Sequence, residues 1–234
     1  GKTTTLYACL HRLNSVHKNL LTLEDPIEYQ LPGITQVNTN PKIGLTFANG
    51  LRSFLRQDPD IIMVGETRDE ETSQITVQAA LTGHLVLSTI HTNDAVGVVS
   101  RLLNMNIEPY LIASALVAVV AQRLVRTICP KCKTVQTIHE SFRQTHLLPA
   151  DLQFYYGKGC EFCQNTGFIG RTGIYEILEV DDRIREAIVA RMPQTELRDL
   201  AARQGMRLLA QSGLELVKRG ITTVDEVLRV TAFK

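Results

Sequence analysis

The first four residues of the chain have the types and the order of a phosphate-binding loop. Gly1-Lys2-Thr3-Thr4 matches the second half of the pattern G-x-x-x-x-G-K-[ST], in which backbone amides at a helix N-terminus surround phosphate oxygens. In that geometry Lys2 reaches the β- and γ-phosphates and the hydroxyl group of Thr3 ligates Mg²⁺. Such a short string also arises by chance, and the first half of the pattern does not precede Gly1, so we expect the chain to be a fragment that begins inside the loop.

Acidic residues follow two apolar segments that have the composition of buried strands. Glu66 comes shortly after residues 61–64, and Glu24 and Glu28 follow residues 20–23. Because ligands bind open α/β sheets beyond the carboxyl ends of the strands, Glu66 is placed to polarise water or to hold the hydration shell of a metal ion. Solvated surface carboxylates are the alternative at both places, but the phosphate-binding string upstream favours the catalytic interpretation for Glu66.

Two histidines bracket the strand predicted for residues 85–90. His84 and His91 therefore lie roughly 20 Å apart in an extended segment and cannot bind one metal ion within it. At the carboxyl end of the strand, His91 is predicted to lie near the γ-phosphate. The alternative is that both are structural histidines with satisfied hydrogen bonds.

Two arginines lie four residues apart on one face of the helix predicted for residues 47–56. Arg52 and Arg56 could stabilise phosphate charge in their own or a neighbouring subunit. Solvated ion pairs on a helix surface are the alternative.

Two C-x-x-C pairs frame the 27 residues 133–159. In a chain without a recognisable secretion signal, such pairs indicate metal binding rather than disulfides. Four thiolates would complete a closed tetrahedral zinc site with a structural role, and free thiols are the alternative. The fifth cysteine, Cys9, is predicted to be a small core residue of a helix. The predicted zinc ligands are Cys129, Cys132, Cys160 and Cys163.

The segments that must position these residues alternate between helix and strand. Helices are predicted over 4–13, 47–56 and 71–81, and strands over 20–23, 61–64 and 85–90, which is typical of a parallel sheet covered by helices. Further helices are predicted over 96–105 and 109–127, followed by a polar insert, a strand over 173–180 and short helices. The last helix begins with a capping box at Thr223 and Glu226.

Composition excludes several classes of protein. Of 234 residues, 44% are hydrophobic and 21% charged, which is typical of globular domains, and a net charge of +1 argues against a nucleic-acid binder. The apolar run over residues 111–121 is too short to span a bilayer, which takes roughly 20 residues. We therefore expect a cytoplasmic protein.

Taken in order, these motifs resemble those of the traffic ATPases that drive type II secretion and type IV pilus assembly, and the resemblance covers nearly the whole chain. The corresponding segments are the end of a Walker A loop at 1–4, an acidic box at 23–28, a Walker B stretch at 56–69 and a histidine box at 82–93. The resemblance implies a RecA-like P-loop core over 1–128, a tetracysteine zinc insert over 129–163, and a strand with a small helical region over 164–234.

The resemblance also assigns roles to individual residues. Glu66 corresponds to the Walker B glutamate, Glu24 to a catalytic acidic-box residue and His91 to a catalytic histidine-box residue. The implied cofactors are ATP, Mg²⁺ held by Thr3, and Zn²⁺. Together with the two arginines proposed above from the residues themselves, the predicted nucleotide-binding residues are Gly1, Lys2, Thr3, Thr4, Glu28, His84, Arg52 and Arg56.

By this resemblance the protein is a homohexameric, cytoplasmic motor that hydrolyses ATP to power pseudopilus assembly. Its partners would be inner-membrane platform proteins, with neither a membrane span of its own nor a nucleic acid. The tetracysteine insert is typical of secretion and pilus-extension motors rather than retraction motors, and residues 170–176 and 220–231 are most similar to the secretion branch. A pilus-extension ATPase and a nucleic-acid-translocating RecA-like motor are the alternatives. A zinc-ribbon adaptor for nucleic acid is disfavoured by the near-neutral charge and few aromatics.

Overall fold

A four-stranded parallel sheet forms the framework of the N-terminal part of the chain. The structure, a computed structural model, describes residues 1–145 and 152–231. The strands are β1 (Leu20–Glu24), β2 (Thr35–Asn38), β3 (Ile61–Val64) and β4 (Leu85–Ser88), and their order is β2-β1-β3-β4. Leu23 pairs with Val64, which pairs with Ser88, so the carboxyl ends of β1, β3 and β4 lie side by side. The predicted α/β fold with a parallel sheet is confirmed.

Helices precede, follow and connect these strands. In chain order they are α1 (Lys2–Leu13), α2 (Phe47–Phe54), α3 (Glu70–Leu81), α4 (Gly97–Asn104), α5 (Pro109–Ala115), α6 (Glu140–Thr145), α7 (Asp182–Val189), α8 (Gln194–Arg203), α9 (Leu209–Lys218) and α10 (Val224–Thr231). The predicted N-cap of α2 is observed, because Thr46 Oγ1 accepts a hydrogen bond from the backbone N–H of Asn49 at 3.2 Å. Asp69 and Asp181 cap α3 and α7 in the same way.

The sheet is buried on both faces because its central strands are apolar throughout. On one face, Leu21, Leu23, Ile62 and Val64 pack against side chains of α2 and α3. On the other, Leu20, Ile61 and Met63 pack against Tyr7 and Leu10 of α1. Successive residues of a strand point to opposite faces, so Thr22 and Glu24 lie on the same face as Leu20, toward α1.

The structure corrects two expectations about the first half of the chain. A helix was expected over residues 109–127, but α5 ends at Ala115 and β5 (Ala118–Ile128) follows. The segment after Leu116 is rich in valine, whose branched side chain favours strands, and β5 pairs with β8 (Phe168–Glu179). The other correction is Cys9, which is exposed rather than part of the core, because Tyr7 and Leu10 form the buried face of α1.

The chain forms two units. The first comprises Gly1–Val119 and Leu178–Gln204, and the second comprises Val120–Ile177 and Gly205–Lys234. The chain thus passes from one unit to the other within β5, returns within β8, and leaves again after α8. These bounds differ from the expected division at 128 and 163, which stays a prediction, and residues 146–151 and 232–234 of the expected segments lie outside the described residues. No helix in the described ranges is long and apolar enough to cross a membrane.

In the second unit, the two short strands β6 (Lys133–Gln136) and β7 (Phe154–Gly157) pair antiparallel.

A buried glutamate, Glu226, joins β5 to the last helix, α10. Thr223 accepts the predicted capping hydrogen bond from the N–H of Glu226 at 3.3 Å. The Glu226 carboxylate instead accepts hydrogen bonds from the guanidinium groups of Arg126, at 2.6 Å, and Arg229, at 2.9 and 3.0 Å.

Candidate functional site

The N-terminus of α1 carries groups that attract anions. Gly1 precedes the helix, and its carbonyl oxygen accepts the first helical hydrogen bond from the N–H of Thr5 at 3.0 Å. Lys2, Thr3 and Thr4 form the first turn, and their side chains are basic or uncharged. The positive end of the helix dipole therefore adds to the charge of Lys2, which is exposed together with Thr4.

Glu24, the last residue of β1, has a buried carboxylate whose exposed fraction is 3%. A charge can be buried only where donors offset its lost hydration. Three side chains supply them: Tyr7 from α1, Thr22 at 2.6 Å and Gln36 from β2 at 3.1 Å. This arrangement fixes α1 to the sheet, and the catalytic role of Glu24 stays a prediction.

Tyr7 is a component of the site that the sequence analysis did not assign. Burial, followed by its hydrogen bond to Glu24, raises the pKa of Tyr7 to about 12, so the hydroxyl group remains a proton donor. The same oxygen accepts a hydrogen bond from the backbone N–H of Glu28 at 3.2 Å, while the side chain of Glu28 is exposed. The spacing of Tyr7 and Leu10 on the apolar face of α1 is the sequence signal that could have revealed it.

Glu66 lies just beyond β3, at the same edge of the sheet. Its Oε1 is 2.5 Å from Nη2 of Arg68, and its Oε2 is 3.5 Å from Nε2 of His91. The side chain of Glu66 is 15% exposed, so water can reach the carboxylate. The structure thus brings together Glu66 and His91, which the sequence analysis assigned to the site separately, and adds Arg68, a partner that was not predicted.

Backbone contacts hold this edge of the sheet together. The N–H of Gly65 donates to the carbonyl oxygen of Leu23 at 2.8 Å. A Cβ atom at Gly65 would lie 3.2 Å from that oxygen and 3.4 Å from the Cα of Glu24, so glycine permits the close approach of β1 and β3. Beyond β4, Thr89 Oγ1 donates to the carbonyl oxygen of Gly65 at 2.7 Å.

His84 lies at the opposite end of β4 from this cluster. Its Nδ1 is 2.8 Å from the carbonyl oxygen of Ala79 and 3.1 Å from Oγ1 of Thr82. The carbonyl group can only accept, so Nδ1 carries the proton in that contact. His84 and His91 therefore lie at opposite ends of β4, as the sequence indicated. The predicted contact of His84 with nucleotide stays a prediction.

The two predicted arginines are both exposed. Arg52 on α2 forms an ion pair with Glu71 at 2.7 Å and a hydrogen bond to Asn49 at 3.1 Å. Arg56 lies two residues beyond the end of α2. Exposed ion pairs of this kind contribute about 0–1 kcal/mol, so the pair with Glu71 does not hold Arg52 rigidly.

The four paired cysteines come together in the second unit. The Sγ atoms of all four lie within 4.8 Å of one another, and three pairs are separated by 3.7, 3.8 and 3.9 Å. A disulfide requires about 2.05 Å, whereas the edge of a zinc–sulfur tetrahedron with bonds of about 2.3 Å is about 3.8 Å. The cluster therefore has the size of a tetrahedral zinc site.

Backbone amides make one of these sulfurs a good metal ligand. Burial raises the pKa of Cys163, but hydrogen bonds from the N–H groups of Cys160 and Gly167, each at 3.3 Å, outweigh it and lower the pKa to about 6. The thiolate is the form that binds metal ions.

Comparisons with protein families and with curated proteins identify a family and individual proteins that are similar to this chain. Residues 1–229 match the family described as type II/IV secretion system protein. Type II secretion system protein E of Dickeya dadantii is 53% identical over 99% of the chain and 46% of its own length. Type IV pilus assembly ATPase PilB of Thermus thermophilus is 51% identical over 99% of the chain and 26% of its own length. The chain thus spans less than half the length of these relatives.

Solved structures agree with the fold. The pilus retraction motor PilT with bound ADP matches with a TM-score of 0.72 and 26% identity, over 98% of this chain and 57% of that chain. The ATPase DotB of Legionella pneumophila has a TM-score of 0.70 at 24% identity over 99% of this chain and 57% of its own, which shows a common fold.

Proposed function

The chain belongs to the type II/IV secretion system protein family, and from this premise we propose that it binds ATP with Mg²⁺ at the carboxyl edge of its sheet and hydrolyses it. The observation that carries the proposal is the partly exposed carboxylate of Glu66, which lies just beyond the end of β3 and is paired with the charged side chain of Arg68 and with His91. Phosphoryl transfer to water needs positioned groups and charge neutralisation more than covalent chemistry, and this edge of the sheet offers both.

Each residue at this edge has a role in the proposed reaction. Gly1 and Thr4 contribute to the phosphate loop, Lys2 neutralises the β- and γ-phosphates, and Thr3 binds Mg²⁺. Glu66 orients or deprotonates the attacking water, and His91 contacts the γ-phosphate or holds Glu66. Glu24 acts mainly through Tyr7, which fixes the phosphate-binding helix.

Four further residues belong to the proposal only as contacts that require the assembled protein. Glu28 and His84 bind nucleotide, and Arg52 and Arg56 stabilise phosphate charge in their own or a neighbouring subunit. Their exposed or partly exposed positions leave them accessible for such contacts.

The four cysteines are proposed to bind one Zn²⁺ ion with a structural role. Four sulfur ligands leave no open coordination position, so the ion stabilises the fold around the cluster instead of taking part in the reaction. It would join residues 129–132 to residues 160–163 and contribute directly to the folding free energy.

In the cell, the protein is proposed to act as a homohexameric cytoplasmic motor that powers pseudopilus assembly in type II secretion, together with inner-membrane platform proteins. The 53% identity to a type II secretion system protein E and the tetracysteine cluster support this role. The 51% identity to a PilB favours pilus extension as the second candidate.

The test is ATP hydrolysis by a protein that carries this chain behind a complete phosphate-binding loop. Lys2→Ala is expected to remove most of the activity. A turnover that this substitution leaves unchanged would contradict the assignment of the nucleotide site. Complementation of strains that lack either the secretion or the pilus-extension ATPase decides between the two roles.

A further inference from the structure

A buried carboxylate lies in the loop that connects β4 to α4. The side chain of Asp94 is only 7% exposed and forms an ion pair with Arg198 of α8. Gln194, also on α8, places its Nε2 at 3.4 and 3.5 Å from the two carboxylate oxygens. A helix about a hundred residues further along the chain therefore supplies the charge that offsets this buried anion.

Asp94 also organises its own loop. Its Oδ1 accepts a hydrogen bond from the N–H of Gly97 at 2.7 Å, which satisfies an amide at the start of α4, and its carbonyl oxygen accepts one from Thr92 Oγ1 at 2.9 Å. A Cβ atom at Gly97 would lie 2.8 Å from Oδ1 and 3.4 Å from Nε2 of Gln194. Glycine at this position leaves room for the contacts of Asp94 with both α4 and α8.

The loop held by Asp94 is the one that carries His91. At its beginning, Thr89 is fixed to the end of β3 by two hydrogen bonds, from Thr89 Oγ1 to the oxygen of Gly65 at 2.7 Å and from the N–H of Thr67 to the oxygen of Thr89 at 2.8 Å. At its end, Asp94 is fixed to α8. His91 lies between these anchors, and three residues span at most about 11 Å, so its position beside Glu66 depends on both.

The two anchors respond differently to substitution. The first is made by backbone groups and the hydroxyl side chain of Thr89, just beyond the ends of the adjacent strands β3 and β4. The second has one charged donor, the guanidinium group, because the Gln194 amide and the Gly97 N–H that also contact Asp94 are neutral. Removal of that group leaves a buried carboxylate without its compensating charge, which is strongly unfavourable. The loop can relieve this by moving Asp94 toward water, which shifts His91 with it.

We propose that Arg198 and Asp94 are positioning residues for the reaction at Glu66, and that α8 controls the placement of His91 through their ion pair. The proposal rests on the proposed ATPase function. It gives Arg198 of α8 a positioning role in the reaction, although this residue is remote in sequence from every motif of the nucleotide site.

The experiment measures steady-state ATP hydrolysis, nucleotide affinity and amide hydrogen exchange on a protein with a complete phosphate-binding loop. Arg198→Gln removes the charge, Arg198→Lys restores it, and Asp94→Asn weakens the pair while keeping an acceptor for Gly97. The matched control is Arg203→Gln, an exposed arginine of the same helix.

We expect Arg198→Gln and Asp94→Asn to lower kcat by about ten- to a hundredfold, as misplacement of a catalytic group does. KM and nucleotide affinity should change by less than about twofold, because α1 is not disturbed. Arg198→Lys should recover most of kcat, and Arg203→Gln should resemble the unsubstituted protein. Amides of residues 90–97, among them the Gly97 N–H that donates to Asp94, should exchange faster in Arg198→Gln. Those of β3 should keep their protection, which shows that the fold persists.

Two results would overturn the proposal: a normal kcat in both Arg198→Gln and Asp94→Asn, or unchanged exchange in residues 90–97. Loss of activity in Arg198→Gln together with loss of protection in β3 would also count against it, because the pair would then support the fold as a whole. If the unsubstituted protein hydrolyses no ATP, the proposed function fails, and hydrogen exchange alone still decides whether Arg198 orders the loop.

Discussion

Nε2 of His91 lies 3.5 Å from Oε2 of Glu66, and the other oxygen of that carboxylate is paired with Arg68. The side chains of Arg68 and His91 are 68% and 62% exposed, so these pairs orient the carboxylate of Glu66 only weakly. Its partial exposure still lets a water molecule reach it. This relationship makes Glu66 the first residue to test.

We predict that Glu66→Gln leaves nucleotide affinity nearly unchanged and slows hydrolysis by about a hundredfold or more, which is within the range of general-base catalysis. Glutamine keeps the size and one acceptor oxygen but cannot take a proton. Titration with a fluorescent nucleotide and single-turnover hydrolysis measure the two quantities.

Two further variants complete that experiment. Glu186→Gln on α7 replaces an exposed carboxylate and should behave like the unsubstituted protein. Normal hydrolysis in Glu66→Gln together with loss of hydrolysis in Glu24→Gln would assign the base to β1 and would be evidence against the positioning role of Glu24.

The hydrogen bond between Tyr7 and Glu24 predicts a loss of stability in Tyr7→Phe. The substitution removes one of three donors to a buried carboxylate and should lower the free energy of unfolding by roughly 1–3 kcal/mol. Chemical denaturation measures it. Tyr29→Phe is the matched control, because Tyr29 is 55% exposed and surface substitutions change stability by about 0.5 kcal/mol or less. Equal stabilities of the two variants would contradict the prediction.

The tetracysteine cluster predicts about one zinc ion per chain in elemental analysis. Cys132→Ser should lose the metal and make residues 129–163 sensitive to protease, and chelation should do the same to the unsubstituted protein. Cys9→Ser, which changes an exposed thiol of α1, should retain both metal and protease resistance. Carefully handled protein that contains no stoichiometric metal would refute the assignment.

The buried carboxylate of Glu226 predicts a pH-dependent contribution to stability. Burial raises its pKa, but hydrogen bonds from Arg229 and Arg126 outweigh this and lower the pKa to about 2, from a usual value of about 4.5. Between these values the unfolded chain binds more protons than the folded one, so the stabilisation is complete above about pH 5 and is lost as the pH falls toward 2. It amounts to up to about 3 kcal/mol.

Glu226→Gln tests that contribution. The variant should be less stable than the unsubstituted protein at pH 7, and the difference should shrink as the pH falls from 5 to 2. Glu215→Gln removes an exposed ion pair with Lys218 and is the control, with little effect at any pH. A difference between Glu226→Gln and the unsubstituted protein that stays constant with pH would exclude the ionised pair as its source.

Much of the first unit was predictable because its signals are local. Residues 61–64 are an apolar run bounded by charged and turn residues, and they form β3 at the predicted bounds. The placement of Glu66 and His91 at one edge follows from the parallel order of the strands. The strand β2 was missed because its sequence, Thr-Gln-Val-Asn, has the exposure and polarity of an edge and lacks an apolar pattern.

Other features depend on contacts between distant segments and have no local signal. The helix expected through residue 127 ends at Ala115, because β5 gains a partner in β8 that a scan of neighbouring residues does not reveal. That α7 and α8 belong to the first unit likewise depends on contacts with segments that are distant in the sequence. Arg198 looks like an ordinary helix-surface arginine until the fold brings it to Asp94.

The interrupted course of the first unit has a consequence for synthesis on the ribosome. Asp94 and Arg198 are 104 residues apart in the chain, so at ordinary translation rates about 5–20 s pass between their appearance. During that interval the sheet can form, but the carboxylate of Asp94 still lacks its ion-pair partner, the guanidinium group of Arg198. The loop between β4 and α4 therefore cannot take its final conformation on the nascent chain until the cysteine-bearing stretch and α8 have been translated.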